Sequence, residues 1–139
     1  DMESRSSCAL AATMAGIGYS NSPPNVCHAI GSPLTLYWGV EHGQAVGITL
    51  VPFLRWVAPV IEHKLAPLYG ALGVNNLEAS VNRIQNIMAL CGLETRLSNL
   101  GIKMEEMDLL INNIRWDRMG VLPRSIGRDE TVELLQSIF

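Results

Sequence analysis

Apolar positions along the chain recur at helical spacing, and no segment alternates apolar and polar residues for long enough to make a half-buried strand. The clearest case is 77–91, where Leu77, Val81, Ile84, Met88 and Cys91 fall on one helical face that Gly92 closes. Upstream, Cys8, Leu10, Ala11, Met14, Ala15 and Ile17 predict a helix over 2–18, rich in small residues that admit a close neighbour. Tyr19-Ser20-Asn21-Ser22-Pro23-Pro24 reads as a break. A short helix over 24–32 follows. Pro33 is expected to end it, because the residue before a proline is pushed out of the α region. Residues 34–40 then form a loop carrying Tyr37 and Trp38, with a hinge at Gly39. Residues 41–54 read as a helix that Pro52 kinks or ends. Further helices are expected over 60–72, closed by Gly73, and over 105–114, with Met107, Leu110, Ile111 and Ile114 inward. The last spans 127–139, with Gly127 as N-cap and Glu130 near the positive helix end. Leu97, Leu100 and Ile102 make an apolar connector. The pattern predicts an all-α bundle of roughly six to eight helices, one domain over residues 1–139.

Composition adds a constraint. In 139 residues, 48% are hydrophobic and 17% charged, which is apolar for a free-standing monomer of this size. Either the chain sits in a homo-oligomer, or it belongs to something larger whose buried face it carries; a first residue that is Asp1 and not Met favours the second. A net charge of −3 argues against a nucleic-acid partner. The most apolar run, 45–61, contains Pro52, Arg55 and Pro59, so it is read as a helix buried in protein and not as a membrane span. The polar N-terminus shows no signal peptide. Three cysteines (Cys8, Cys27, Cys91) without a CxxC pair suggest neither a disulfide framework nor a cysteine zinc site, and a cytoplasmic location is expected.

The candidate chemistry lies in the histidines. His63, between Glu62 and Lys64, reads as a solvated helix face. His28 and His42 sit in stretches that otherwise look buried, so each needs a partner. Thirteen residues separate them, which is no recognised metal spacing. Two separately hydrogen-bonded core histidines is the plain reading, and a shared metal is the chemically interesting one. A Cys27–His28 dyad is disfavoured, because adjacent helical residues diverge by about 100°. Tyr37 and Trp38 are candidates for the wall of a substrate pocket or for simple packing. Trp56 and Trp116 are assigned to packing, and Asn112-Asn113 with Arg115 to Arg118 to a polar helix end.

The stretch Cys27-His28-Ala29-Ile30-Gly31-Ser32-Pro33-Leu34, the run Glu41-His42-Gly43-Gln44-Ala45-Val46 and Leu50-Val51-Pro52 together resemble the iron-containing (group III) alcohol dehydrogenases. The helix ending Met14-Ala15-Gly16-Ile17, and the tail Leu122-Pro123-Arg124 with Asp129-Glu130, extend the resemblance over nearly the whole chain. It implies the helical C-terminal half of a two-domain, dehydroquinate-synthase-like architecture, whose N-terminal α/β domain, absent from this chain, binds NAD or NADP. It implies a divalent metal, iron or zinc, held by one Asp and three His, of which His28 and His42 match the last two. The Asp and the first His are expected upstream of Asp1. The implied reaction is hydride transfer between NAD(P) and a small alcohol or aldehyde, with the helical domain alone inactive. Where the family often carries a second His, one helical turn after the first, this chain has Ser32. That residue can meet the cofactor or substrate by hydrogen bonds but cannot titrate near neutral pH. Pro33-Leu34-Thr35 resembles a branch acting on phosphonoacetaldehyde, which makes a small polar or anionic aldehyde a candidate. Glycerol-dehydrogenase-like and dehydroquinate-synthase-like sisters space their histidines differently. The competing reading from another class is a helical dimerisation module with structural histidines.

Overall fold

The computed structural model is described over residues 1–22 and 26–139, the burial of Gly120 and the side chain of Val121 excepted. Those residues form eight α-helices, four short 3-10 turns and no strand. The helices are α1 (Met2–Asn21), α2 (Val26–Trp38), α3 (His42–Gly47), α4 (Leu50–Ile61), α5 (Ala66–Leu72), α6 (Leu77–Leu90), α7 (Met107–Asn112) and α8 (Arg128–Gln136). The 3-10 turns are Glu62–Lys64, Ser98–Leu100, Met104–Glu106 and Trp116–Val121. Pro23 and Pro24, placed in the break by their sequence, lie outside the described residues.

Several boundaries differ from expectation. The helix expected over 60–72 is instead the end of α4, the 62–64 turn and α5, and the one expected over 105–114 opens as the 104–106 turn and is helical only over α7. Three further differences have a local reason. Helix α1 runs past Tyr19 to Asn21, where the side chains of Ser20 and Asn21 both donate to the Ile17 carbonyl. Helix α2 does not stop at Ser32 but passes through Pro33 to Trp38. A proline inside a helix leaves the carbonyl four residues back without its partner. Here that carbonyl, on Ala29, accepts from the Arg115 backbone N–H at 3.4 Å, so the missing bond is replaced from another segment. The true end comes at Gly39, whose φ of 66° supplies the left-handed turn and whose N–H bonds the Thr35 carbonyl. Finally, the expected 41–54 helix is two, because α3 ends at Gly47 and α4 begins at Leu50. Pro52 falls in the first turn of α4, where no N–H partner is needed, so it opens a helix instead of breaking one.

Other boundaries follow the pattern. Gly73, at φ 67°, closes α5. The Asn76 side chain caps α6 by accepting from the Ala79 N–H at 2.9 Å. Glu130 reaches back to the Gly127 N–H at 3.0 Å at the start of α8.

Helix α2 is the centre of the molecule. Ile30 and Leu34 are fully buried, packed with Ala45, Ile48, Phe53, Leu97, Leu110, Ile111 and Leu135. Helices α2 and α3 cross at Gly31. A Cβ built there would lie 2.9 Å from Val46 Cγ2 and 3.1 Å from the Ala45 backbone, so only glycine admits this approach. Helix α3 is also pinned from its other side. Gln44, buried, donates to the Glu94 carbonyl at 2.9 Å and accepts from the Glu94 N–H at 2.7 Å. The stretch His42–Lys64 is long and apolar enough to cross a membrane by length and composition, and half of it is buried inside the fold. By contrast, none of the 20 residues of α1 is buried, and Met2, Leu10, Met14 and Ile17 stand exposed on it.

Candidate metal centre

His28 lies in the first turn of α2 and His42 is the first residue of α3. The close crossing at Gly31 brings these two helix starts together. The imidazole centroids are 5.5 Å apart and the rings are inclined by 62°. A metal-bound imidazole keeps its centroid about 3.2 Å from the ion, given a metal–nitrogen bond of about 2.1 Å. Two such rings on tetrahedral or octahedral vertices then have centroids roughly 4.6–5.3 Å apart. The observed spacing is close to this range, so the pair fits two vertices of one coordination sphere. No group of three or more His, Cys, Asp or Glu able to hold a metal occurs among the described residues, so any remaining ligands would come from elsewhere.

Other residues shape the site. The Tyr19 ring, from the last turn of α1, lies 5.5 Å from the His28 ring at 49°. Thr35 Oγ1 is 3.5 Å from His42 Nδ1, a long contact that favours Nε2 as the outward nitrogen. His28 is half-buried, and its pKa is lowered from the ordinary histidine value, first by burial, then by the charges of His42 and Arg118. Each of these causes favours the neutral imidazole, the form that donates a lone pair to a metal.

The other sequence-nominated residues lie close by but apart from the ring pair. The Ser32 hydroxyl donates to the His28 carbonyl at 2.8 Å, bonding back one helical turn. Ser32 and Tyr37 line an open groove of about 220 Å³ with Pro33, Leu36, Asn113 and Arg115. The Tyr37 hydroxyl donates to Asn113 Oδ1 at 2.8 Å. Trp38 packs against the main core, its ring edge-on to Tyr37. His63 is exposed on the 62–64 turn. Cys27 is buried in the core while its neighbour His28 faces the site, as the helical divergence of adjacent residues requires. Trp56 is stacked under Arg124, whose Cζ is 3.7 Å from the ring centroid, and Trp116 donates to the Ile111 carbonyl.

Sequence reasoning missed Tyr19, Thr35 and Arg118 near the histidines. Tyr19 was hidden by the proline-rich break, and Arg118 by reading Arg115 to Arg118 as a polar helix end. The one available clue was Pro33, since a proline-freed carbonyl in a buried helix must be answered by some other segment.

Residues 1–139 match the profile described as Fe-containing alcohol dehydrogenase family, C-terminal. Alcohol dehydrogenase 4 of Schizosaccharomyces pombe is 24% identical over 99% of this chain and 34% of its own length. Lactaldehyde reductase of Escherichia coli is 27% identical over 96% of this chain and 37% of its own. Phosphonoacetaldehyde reductase of Streptomyces viridochromogenes is 28% identical over 97% of this chain and 36% of its own. The chain thus spans about a third of the length of the curated relatives it matches. In fold it superposes on an alcohol dehydrogenase from Oenococcus oeni with a TM-score of 0.77, at 19% identity over 90% of this chain and 35% of that one. A 1,3-propanediol oxidoreductase gives 0.73, at 18% identity over 83% of this chain and 32% of that one. The chain belongs to the Fe-containing alcohol dehydrogenase family and carries its C-terminal, all-helical part.

Proposed function

We propose that this chain is the C-terminal metal-binding domain of a metal-dependent, NAD(P)-linked alcohol dehydrogenase or aldehyde reductase. One observation carries the reading: two imidazoles from separate helices, His28 and His42, meet at 5.5 Å beside an exposed edge, in a chain of this family. In this reading both bind a divalent metal, iron or zinc, and an α/β domain elsewhere in the polypeptide supplies the nucleotide site and the remaining ligands. When bound, the metal supplies Lewis-acid polarisation of a substrate oxygen, and NAD(P) supplies or accepts hydride.

The residues of this chain do the holding. Thr35 steers the His42 ring, and Gly31 and Gln44 fix the helix that carries it. Tyr19 covers one side of His28 and limits water at that ligand. Ser32, with its hydroxyl turned to the His28 carbonyl, supplies no base near neutral pH, so proton exchange with the product alcohol falls to solvent or another group. The groove shared by Ser32 and Tyr37 is the surface offered to cofactor and substrate. A relative acting, by its name, on phosphonoacetaldehyde supports a small polar or anionic aldehyde as substrate. Three thiols outside any disulfide suit a reducing cytoplasm.

The bare face of α1 favours a second feature, burial against another subunit or another part of the same enzyme. If that face were the whole function, the histidines would be structural and no metal would be needed. The test is aldehyde reduction with NADH or NADPH by the full-length polypeptide after metal stripping and after reloading. Activity that vanishes and returns, and is lost in His42→Ala, supports the enzyme. Reduction that survives stripping with a strong chelator, or persists in His42→Ala, rejects it.

A further inference from the structure

Thr35 uses its hydroxyl differently from most hydroxyls on the helices of this fold. Ser6, Thr13, Ser32, Ser80 and Thr131 each donate to the carbonyl four residues back, at 2.7–3.0 Å. That is the default, because a helical hydroxyl lies beside that carbonyl. For Thr35 the corresponding group is the Gly31 carbonyl. Its Oγ1 is turned instead to His42 Nδ1, at 3.5 Å, and has no other hydrogen-bond partner among the described residues. The contact is held from both ends. The Thr35 carbonyl takes the Gly39 N–H at 3.1 Å in the turn that closes α2, and the close crossing at Gly31 brings the start of α3 to this face. Thr35 follows His28 by seven residues, nearly two helical turns, so α2 presents both on one face. The His42 ring meets both: the His28 ring at 5.5 Å between centroids, and the Thr35 hydroxyl at Nδ1.

A neutral imidazole carries its proton on one nitrogen and its lone pair on the other. Free in water, the histidine ring favours the proton on Nε2, and an Nε2–H cannot bind a metal. A hydroxyl oxygen at Nδ1 reverses this. It accepts an Nδ1–H, and it stands where a metal on Nδ1 would have to sit. We propose that Thr35 is a positioning residue for the metal, its Oγ1 accepting the Nδ1–H of His42 so that Nε2 becomes the ligand atom. This rests on the metal-binding reading above. Partners that hold a ligand histidine in one tautomer and one orientation are worth about 10- to 100-fold in metal affinity. Ser32, on the preceding turn of α2, does not share this role, because its hydroxyl is bonded to the His28 carbonyl.

The test uses the full-length polypeptide with isotope-labelled histidine rings, read by nitrogen NMR without metal, and zinc affinity read by chelator competition. Above the histidine titration range, His42 of the wild type should carry its proton on Nδ1, the reverse of the free side chain. Thr35→Val keeps the shape and removes the acceptor. In that variant the proton should return to Nε2, and zinc affinity should fall about 10- to 100-fold. Thr35→Ser keeps the acceptor, and should restore the Nδ1 proton and most of the affinity. A change of packing alone would lower stability without moving the proton between the nitrogens. A wild-type proton on Nε2, a tautomer or a zinc affinity unchanged in Thr35→Val, or a serine variant that behaves as the valine one would overturn the assignment. Zinc binding that is lost in His42→Ala but unchanged in Thr35→Val overturns the assignment and leaves the metal-binding reading standing. Zinc that binds wild type no better than His42→Ala removes both.

Discussion

Gly31→Ala perturbs the site without touching either histidine. A methyl placed there would sit 2.9 Å from Val46 Cγ2 and 3.1 Å from backbone atoms of Ala45. Comfortable carbon contacts begin near 3.5 Å, so α3 must retreat from α2 by about 0.5 Å. Overpacking of this kind costs roughly 1–3 kcal/mol. Alanine in a helix interior returns up to about 1 kcal/mol relative to glycine, so the net loss of stability is about 0–3 kcal/mol. The metal feels the shift more sharply, because coordination bonds tolerate only about 0.2 Å and His42 rides on the displaced helix. Metal affinity should fall on the order of 10- to 100-fold, like the loss of a supporting residue around a metal site. Chelator competition on the full-length polypeptide reads the affinity, and urea melts read the stability. Gly70→Ala is the matched control, since its Cβ would meet nothing within 4 Å. It should leave metal affinity unchanged and alter stability by no more than about 1 kcal/mol. Wild-type metal affinity in Gly31→Ala would refute the claim that this crossing sets the distance between the rings.

Other expectations follow from single groups. Gln44→Ala leaves the part-buried N–H and carbonyl of Glu94 without their side-chain partner and should cost about 1–3 kcal/mol in urea melts, two hydrogen bonds at about 0.5–1.5 kcal/mol each. In the metal-free protein His28 should titrate below the ordinary histidine range, because its burial and the charges of His42 and Arg118 oppose protonation. The unfolded state then binds more protons than the folded one, so the His28 contribution to stability is complete above the unfolded pKa and is lost as pH falls toward the folded pKa. Ring-proton NMR checks the direction, and Arg118→Met should move the midpoint upward. Of the three thiols, exposed Cys8 and Cys91 should react quickly with a thiol reagent, and Cys27 slowly, because burial pushes its pKa up.

Much of the fold was legible because periodicity is a direct record of which face is buried. Leu77, Val81, Ile84 and Met88 located α6, and glycines at 73 and 92 marked ends that their left-handed backbones confirm. The prolines misled where tertiary contacts overrode local preference. Pro33 breaks a helix only if the carbonyl it frees goes unanswered, and here Arg115 answers it from 86 positions away. Pro52 reads as a stop or a start depending on whether the preceding turn is helical, which the residues at 48 and 49 do not announce. At the site, His28 and His42 stood out as polar residues in apolar surroundings, but their convergence depends on Gly31, whose role is a contact between helices. Arg118 and Tyr19 carry no pattern at all; only the folded chain brings them to the histidines.

The central claim is that His28 and His42 are ligands of one ion. X-ray absorption on the metal-loaded full-length polypeptide counts the imidazoles around that ion directly. The account predicts that His28→Ala and His42→Ala each remove one imidazole from the coordination shell and weaken metal retention. A coordination shell that is the same in wild type and both variants would contradict it.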